Sequence, residues 1–348
     1  MKINDLLFNE SNSVPYDEFI NFALYHIDFG YYSNSIEKLG RNGDFYTSVH
    51  VHSVFAKKLG EYFINLIISK DLDPIVVEIG SGDGTFAKTI LENNPKLKYI
   101  SIEKSNYHYQ VQMDKLSDFA NFEIYRTLEE FRCKYKSFRG VIFSNELFDA
   151  LPVKITKRQG DTLFEVFVKN DNGKLVEEYK PASKLIKNYI NTFKLDVRDG
   201  YRTEVRLTDL EVLKGIAECL ESGYVITIDY GYKNSELTHA ARKNGSLRGF
   251  YKHKLVEDIL VNVGTIDITS HVNWDVLIEA GYKVGLETVS LSRQNEFLIS
   301  IGMLDELVEH NALDPFSKES KLNRAIKTLV LDNGISQSFD VLIQKKLD

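Results

Sequence analysis

Hydrophobic and polar residues follow two different periods along the chain. In the segment 54–69, "VFAKKLGEYFINLIIS", apolar residues return every three or four positions, which predicts an amphipathic helix. The earlier segment "VPYDEFINFALYHI" has the same spacing, and Pro15 suits the first turn of its helix. In contrast, Ile75 to Ile79 is one short, nearly continuous apolar run. Such a run is typical of a buried parallel strand.

Further short strands then alternate with helical sequence. The segments "KYISIE", "FEIYRT" and "GVIFSNE" are the next predicted strands. This alternation predicts right-handed βαβ units and a parallel sheet. The sheet resumes at "YVITIDYGY", and the last strands, "YKVGLETVS" and "SFDVLIQKK", are predicted to close it with an antiparallel hairpin. The fold class is therefore α/β.

Between these strands the period changes to two. "VKITKRQGDTLFEVFVKNDNGKLVEEY" alternates around Gly160 and Asn172-Gly173, which predicts a β-meander, and "ASKLIKNYINTF" predicts a helix after it. We therefore expect an inserted subdomain over 153–200. The predicted divisions around it are N-terminal helices and a cofactor-covering loop over 1–72, the first part of the core over 73–152, and the rest of the core over 201–348. Within the last division, 233–275 is either a lid or substrate-docking segment or a structural wrap over the sheet edge.

Composition and charge narrow the class of protein. The 348 residues are 43% hydrophobic and 12% aromatic, enough for a real core, and the net charge of −7 argues against bulk nucleic-acid binding. Cys133 and Cys219 are the only cysteines, and their spacing indicates a reducing compartment and no zinc site. No targeting segment and no apolar run long enough to span a membrane is visible, so we expect a cytoplasmic protein.

The segment "EIGSGDG" predicts a nucleotide-type site. It follows a strand, contains Gly80, Gly82 and Gly84, and leads into a helix, whose N-terminal amides attract anions. The dinucleotide fingerprint would place its third glycine one residue later, where this chain has Thr85. Glu103 ends the next strand nineteen residues after Gly84, where an acid accepts hydrogen bonds from both ribose hydroxyls. The alternative is an acid that caps the following helix.

These features leave two cofactors to compare. NAD would satisfy the geometry of the ribose acid as well. However, the chain has one glycine loop, its third glycine is early, and the predicted sheet closes with an antiparallel hairpin. Together these features favour S-adenosyl-L-methionine.

Six segments carry a resemblance to a known family. "GYY" (30–32), "GDFYTS" (43–48), "EIGSGDG" (78–84), "NELFDALPV" (145–153), "IDYGY" (228–232) and "GTIDITSHVNWDVL" (264–277) occur in order over nearly the whole chain. They resemble the MidA-like methyltransferases, a family that includes a mitochondrial protein arginine methyltransferase. The resemblance implies a class I methyltransferase fold with a seven-stranded Rossmann-like sheet, S-adenosyl-L-methionine as methyl donor and S-adenosyl-L-homocysteine as product.

The resemblance also identifies candidate residues for donor binding. At a few positions, however, this chain differs from the family pattern. The candidates are Gly43, Asp44, Phe45, Thr47, Glu78, Gly80, Gly82, Gly84, Glu103, Leu128 and Asn145. We expect residues 43–48 to fold over the bound donor. The family usually has Pro-Glu where this chain has Val49 and His50, and an arginine where it has Tyr109. These departures bear on the substrate more than on the donor.

The acceptor side of the site is predicted to be acidic. Methyl transfer is an in-line displacement, so the enzyme chiefly positions the reactants and shapes the field around them. Carboxylates can hold a protonated guanidinium in bidentate pairs and localise its charge. The candidate catalytic residues are Glu146, Asp149, Asp229 and His271, with Asp267 in the same loop as His271.

Each candidate has a plainer interpretation. Asp149 can cap the turn before Pro152, and His271 can merely order its loop. Glu204 can be a strand acid paired with Arg202 or Arg206. Glu146 is the preferred catalytic residue, because it lies at the strand end that faces the donor methyl.

Three classes of function stay open from the sequence. The favoured class is a methyltransferase acting on arginine of a partner protein. The second is a methyltransferase for a small molecule or RNA. The third is an assembly factor that binds S-adenosyl-L-methionine without turnover.

Overall fold

A computed structural model describes residues 6–8, 12–33, 52–251, 254–256, 258–309, 314–331 and 338–346. The chain divides into two compact units. We call the first the meander unit; it comprises 1–36, 148–213 and 231–280. The second, the sheet unit, comprises 37–147, 214–230 and 281–348.

The described strands and helices have the following bounds. The strands are β1 (Ser13–Pro15), β2 (Ile75–Ile79), β3 (Lys98–Ile102), β4 (Phe122–Tyr125), β5 (Phe138–Asn145), β6 (Lys154–Gln159), β7 (Thr162–Asp171), β8 (Lys174–Pro181), β9 (Arg202–Val205), β10 (Leu220–Asp229), β11 (Gly231–Tyr232), β12 (Arg248–Tyr251), β13 (Lys254–Val256), β14 (Asp267–Thr269), β15 (Val272–Asn273), β16 (Leu286–Arg293) and β17 (Asp340–Lys346). The α-helices are Tyr16–Tyr25, Val54–Ser69, Thr85–Asn93, Asn106–Leu116, Leu128–Lys134, Lys184–Thr192, Leu207–Cys219, Asn234–Leu237, Trp274–Lys283, Gln294–Ser300 and Lys318–Val330.

The sheet unit contains the predicted seven-stranded sheet. Its strand order is β16-β17-β10-β5-β2-β3-β4. The five strands from β10 to β4 are parallel, whereas β17 runs antiparallel to both of its neighbours, β10 and β16. The α/β class, the seven strands and the antiparallel closure are therefore confirmed.

Aromatic side chains fix the helix Val54–Ser69 against this sheet. Phe63 on that helix lies 5.3 Å from Phe143 on β5, and Phe86 stacks on Phe143 at 4.8 Å between ring centroids. All three are fully or almost fully buried. Each buried phenylalanine contributes about 1.5–3 kcal/mol relative to an exposed one. The apolar face that the sequence predicts for this helix is therefore part of the hydrophobic core against the sheet.

The meander unit is wider than the insertion predicted over 153–200. The β6–β7 and β7–β8 hairpins form as expected, with positive φ at Gly160, Asn172 and Gly173. However, β1 pairs with β7 and β9 pairs with β6, which brings in 13–15 and 202–205. The pairing of strands that lie far apart in the sequence cannot be recognised from a local sequence pattern.

The segment 233–275 also belongs to the meander unit. Its strand β12 pairs with β13 and β14, and β11 pairs with β15. Ile266 and Ile268 are buried in the same apolar cluster as Phe19 and Ile20 of the first helix. These contacts give the segment a structural role inside its unit.

Candidate functional site

The strand order of the sheet unit predicts a ligand-binding crevice at the carboxyl ends of its central strands. From β2 the chain proceeds to β3 and β4 on one side, whereas β5 and β10 lie on the other side. The order of the strands therefore reverses between β2 and β5, and ligands of open α/β sheets bind at the carboxyl ends of strands at such a point. The glycine loop follows β2 and Asn145-Glu146 ends β5, so the predicted donor residues lie at this point.

The glycine loop has a backbone that only glycine adopts easily. Gly80, Gly82 and Gly84 have φ values of +75°, +56° and +73°. A Cβ on Gly84 would lie 2.7 Å from Cγ of Gln112, so a side chain there would clash as well as strain the backbone. The helix Asn106–Leu116 thus packs closely against the loop.

Gln112 is a functional residue that sequence reasoning missed. Its Nε2 donates to Oγ of Ser81 at 2.8 Å and to the carbonyl oxygen of Gly82 at 2.7 Å. The side chain is fully buried. Gln112 comes about 30 residues after the loop it supports, on a helix with ordinary polar composition, so no local pattern marked it.

Glu103 braces the glycine loop. Its Oε2 accepts the backbone N–H of Gly82 and its Oε1 accepts that of Ser105, each at 2.8 Å. Burial raises the pKa of Glu103 to about 7, although these two N–H groups and the charge of Arg126 act in the opposite direction. Glu103 therefore supports the loop, whereas the next helix is capped by Oγ of Ser105, which accepts the backbone N–H of His108 at 3.2 Å. The ribose contact stays a prediction.

Glu78 is a second buried acid beside the loop. Its Oε2 accepts the hydroxyl of Tyr99 at 2.7 Å. Burial raises the pKa of Glu78 to about 8; the Tyr99 hydroxyl opposes this rise, and repulsion from Glu103 and Asp83 adds to it. Two neighbouring acids with strongly raised pKa values at a strand-end crevice are typical of a functional site.

Glu146 adopts a strained backbone at the end of β5. Its φ is +54°, which is uncommon for a residue other than glycine. Its backbone N–H donates to the carbonyl oxygen of Ile228 at 2.9 Å, and its Oε1 accepts Nδ2 of Asn145 at 3.2 Å. Residues held in such conformations cluster at active sites and ligand clamps. Glu146 is therefore the catalytic candidate that the geometry supports best.

Asn145 offers a buried acceptor next to Glu146. Its Oδ1 is inaccessible to solvent and, within the ranges that the structure describes, accepts no hydrogen bond. A buried polar atom left in this way costs free energy unless a ligand or water pairs with it. This atom fits the prediction that Asn145 contacts the donor.

Asp229 has a different environment from the one expected. It ends β10 next to Glu146, but it is fully buried, and its Oδ1 accepts the backbone N–H of Tyr230 at 2.9 Å. Across the antiparallel pair it faces Asp340, which forms an ion pair with Arg293 at 3.1 Å. A carboxylate without exposed surface is better suited to holding the strand end than to contacting a substrate.

Asp149 and Asp267 belong to a buried network in the meander unit. Oδ1 of Asp267 accepts the hydroxyl of Tyr32 at 3.0 Å, and Tyr32 stacks on Tyr25 at 5.5 Å. Burial raises the pKa of Tyr32 well above its usual value, and the nearby carboxylates of Asp267 and Asp149 add to the rise. The carbonyl oxygen of Asp149 accepts the backbone N–H of Ser270 at 2.9 Å. Tyr32 of the "GYY" segment therefore has a structural role in this network.

The expectation of an acidic environment for His271 is wrong. His271 is mostly buried, and burial lowers its pKa to about 3, with further lowering by the guanidinium groups of Arg248, Arg242 and Arg206. These arginines come from three separate segments, so the sequence could not show that they converge. His271 is consequently neutral at physiological pH.

Glu204 does not pair with either neighbouring arginine. Its Oε1 accepts the backbone N–H groups of Ser246 at 2.6 Å and Leu247 at 3.1 Å. Arg202 instead pairs with Glu177 at 2.8 Å, and Arg206 pairs with Asp209 at 2.6 Å. The alternative of an ion pair with a strand neighbour is therefore wrong, because Arg202 pairs with Glu177 and Arg206 with Asp209.

The remaining candidates are placed as follows. Leu128 begins the helix after β4, where a Cβ on Gly215 would lie 2.6 Å from its Cδ2. Tyr109, at one of the departures from the family, lies under the guanidinium of Arg126 at 3.8 Å from the ring centroid. Gly43, Asp44, Phe45 and Thr47, and the departures Val49 and His50, lie outside the described residues.

The residues of the sheet unit fit S-adenosyl-L-methionine. The glycine loop leads into a helix whose N-terminal amides attract anions, and side chains at Gly80 or Gly84 would meet Leu147 or Gln112. Glu103 accepts the N–H of Gly82 in this loop, and the buried Oδ1 of Asn145 can accept a donor hydrogen bond. Over the residues described, no group of three or more histidine, cysteine or acidic side chains could hold a metal ion, and no helix is long and apolar enough to cross a membrane.

Comparison with known proteins agrees with this geometry. A family model of S-adenosyl-L-methionine-dependent methyltransferases matches residues 58–292. The chain is 27% identical over 341 residues to protein arginine methyltransferase NDUFAF7, mitochondrial, of Xenopus tropicalis, which covers 86% of this chain and 75% of that protein. The human protein of the same name is 26% identical over 327 residues, covering 82% and 69% of the two chains.

A solved structure gives the same assignment. A protein from Burkholderia thailandensis, crystallised bound to S-adenosyl-homocysteine, superposes with a TM-score of 0.85 at 25% identity, covering 96% of this chain and 88% of that chain. The matched fold and the glycine loop with Glu103 thus occur together with the family match. The chain belongs to the MidA-like family of S-adenosyl-L-methionine-dependent methyltransferases.

Proposed function

We propose that this methyltransferase transfers the methyl group to an arginine side chain of a partner protein. The observation that carries the proposal is the carboxylate of Glu146, held at φ +54° at the end of the strand next to the glycine loop. The names of the relatives from Xenopus tropicalis and human, both protein arginine methyltransferases, support the same substrate class.

In this proposal the donor supplies an electrophilic methyl group on a sulfonium, and the protein's own residues orient the reactants. The loop Gly80 to Gly84 and Glu103 would hold the adenosine end of the donor, and Asn145 orients Glu146 through its Nδ2. The Glu146 carboxylate pairs with the planar guanidinium and draws its positive charge away from the attacking nitrogen. Most of the rate enhancement then comes from orientation and from this fixed charge.

Two alternatives follow from the surroundings of the other candidates. Asp229 is fully buried and His271 lies among arginines, so fewer acids are accessible than the sequence predicted. A neutral acceptor in a small molecule or RNA would need only the donor site. A donor-binding assembly factor would need no acceptor pocket at all.

Labelling separates these three functions. The purified protein and S-adenosyl-L-methionine with a labelled methyl group are incubated with a proteome extract, and acid hydrolysates are analysed for methylarginine. We expect label in methylarginine with the wild-type chain and much less with Glu146→Gln. Label in RNA or small molecules, or no transfer despite donor binding, would reject the arginine assignment in favour of the corresponding alternative.

We also propose that the protein is located in the cytoplasm. It is supported by two free thiols, of exposed Cys133 and buried Cys219, which suit a reducing compartment. Cell fractionation with antibodies against the native chain tests it, and recovery in an organelle fraction would contradict it.

A further inference from the structure

A small cavity lies within the meander unit, and its lining is rich in arginine. It is lined by Arg202, Glu204, Arg206, Leu237, Arg242 and His271, among others. All of these residues belong to the same compact unit. The methyl-donor site described above uses none of them.

The arginines differ in how their charge is compensated. Arg202 pairs with Glu177, and the buried Arg206 pairs with Asp209 and also donates to the carbonyl oxygens of Phe148 and His271. Their positive charge is therefore matched locally. Arg242 donates to the carbonyl oxygen of Glu236 at 3.0 Å, but in the described part of the chain no carboxylate lies within ion-pair distance of it.

Arg242 and His271 both contact the aromatic ring of Tyr232. The guanidinium carbon of Arg242 lies 3.6 Å from the ring centroid of Tyr232, and the imidazole of His271 meets the same ring edge to face at 4.6 Å. Stacking fixes the plane of the guanidinium, which has five N–H donors, and its Nη1 donates to the carbonyl oxygen of Glu236. The wall of the cavity thus presents pre-oriented donors.

The electrostatic balance of the cavity favours an anion. Burial lowers the pKa of His271 and keeps it neutral, and the positive charges of Arg206, Arg242 and Arg248 add to this effect, so its ring offers an N–H donor without a further positive charge. The one lining carboxylate among the residues named, Glu204, already accepts two backbone N–H groups from Ser246 and Leu247. Asn273 also lines the cavity, but its Nδ2 donates to Asn234 and its Oδ1 accepts from Val276.

We propose that this cavity is a binding site for a small oxyanion, a carboxylate or a phosphate group, held by the guanidinium of Arg242 and the imidazole of His271. Guanidinium groups match the planar, two-oxygen edge of carboxylate and phosphate. The site is independent of the proposed arginine substrate, because it binds the opposite charge with residues that the donor site does not use.

The test follows the imidazole of His271 in the full-length protein. The chain has eight histidines, and the spectrum of His271→Gln identifies the signal of His271 in ¹⁵N-histidine-labelled protein. Inorganic phosphate and acetate are titrated separately at constant ionic strength with chloride. We expect a saturable shift of the His271 signal at neutral pH, where both anions are ionised.

Matched variants distinguish a specific anion-binding site from nonspecific electrostatic attraction of anions. Arg242→Gln should weaken anion binding about tenfold, which is the scale of one charge-assisted hydrogen bond, and Arg242→Lys should retain part of it. The control is Arg198→Gln, because Arg198 is an exposed arginine of the same unit, paired with Asp196. Circular dichroism and thermal unfolding confirm that each variant is folded.

The possible outcomes divide clearly. A response to both anions supports a general oxyanion site, and a response to phosphate alone supports a phosphate site. No response to either anion, or equal binding by wild type and Arg242→Gln, would overturn the proposal. So would an equal loss in the Arg198→Gln control, since the effect would then come from net charge.

Discussion

The backbone N–H of Gly82 donates a 2.8 Å hydrogen bond to Oε2 of Glu103, so the middle of the glycine loop is tied to the end of the neighbouring strand. The loop has a positive φ at each of its glycines and needs such external support to keep one conformation. Glu103 therefore has two connected roles, since the carboxylate predicted to meet the ribose also shapes the loop beneath the donor.

The first prediction concerns this carboxylate. Glu103→Ala should weaken binding of S-adenosyl-L-methionine and S-adenosyl-L-homocysteine by about 1–3 kcal/mol, the scale of charge-assisted hydrogen bonds. Because burial raises the pKa of Glu103 to about 7, donor affinity of the wild type should fall as the pH is lowered through that value, as the carboxylate becomes protonated. Calorimetry at several pH values checks both effects. Unchanged affinity in the variant, or binding of NAD, would contradict the assignment.

The second prediction concerns stability and Glu78. Burial raises its pKa from an ordinary 4.5 to about 8, so the folded state binds the proton more tightly than the unfolded state. The free energy of unfolding should therefore decline as the pH rises from about 4.5 to about 8. Glu78→Gln, which keeps an acceptor for Tyr99, should flatten this decline and be more stable at pH 8 by roughly 1–3 kcal/mol.

Denaturant unfolding across this pH range measures the effect of Glu78. The control is Glu92→Gln, which removes an exposed acid of the same unit whose distance to Lys88 is 3.9 Å. It should change the stability by no more than a few tenths of a kcal/mol, as is usual for a surface pair. An equal response of the two variants would show that burial of Glu78 is not the cause.

The sequence predicted those parts of the fold that have a local signal. The buried run of β2, the amphipathic helix Val54–Ser69 and the turns at Gly160 and Asn172-Gly173 all follow from periodicity or turn chemistry, and all are present. The glycine loop and Glu103 were also found, because their spacing is set by the strand–loop–helix unit itself.

Other features depend on contacts between distant segments and have no local signal. Gln112 supports the glycine loop from a later helix, and three arginines reach His271 from separate elements. The burial of Asp229 depends on β17, which follows it by more than a hundred residues and pairs beside it. Acidic residues at strand ends thus indicated the correct edge of the sheet but not which of them remain accessible.

The third prediction tests the acceptor side. Glu146→Gln should leave donor affinity nearly unchanged and lower the rate of methyl transfer by about two to three orders of magnitude, the usual effect of removing one preorganised group from an active site. Asp229→Asn should cost less in rate if Asp229 only holds the strand end, and more in stability because it is fully buried. Single-turnover assays with the acceptor found by labelling measure these rates. Full activity in Glu146→Gln would reject the proposed role of its carboxylate.

The last prediction separates the backbone strain of Glu146 from the chemistry of its side chain. At a φ of +54° an L-residue is less stable than glycine by about 1–2 kcal/mol, and part of that difference is offset by the greater freedom of glycine in the unfolded chain. Glu146→Gly should therefore be more stable than Glu146→Ala by roughly 0.5–1 kcal/mol, while both should lose most of their activity. Asp71, with a φ of +51° in an exposed turn of the same unit, provides the control. Asp71→Gly should gain similar stability over Asp71→Ala, and both of those variants should remain fully active. If Glu146→Ala is as stable as Glu146→Gly, the backbone of Glu146 does not destabilise the fold. If the Asp71 variants lose activity in parallel, the loss of activity at Glu146 cannot be assigned to its side chain.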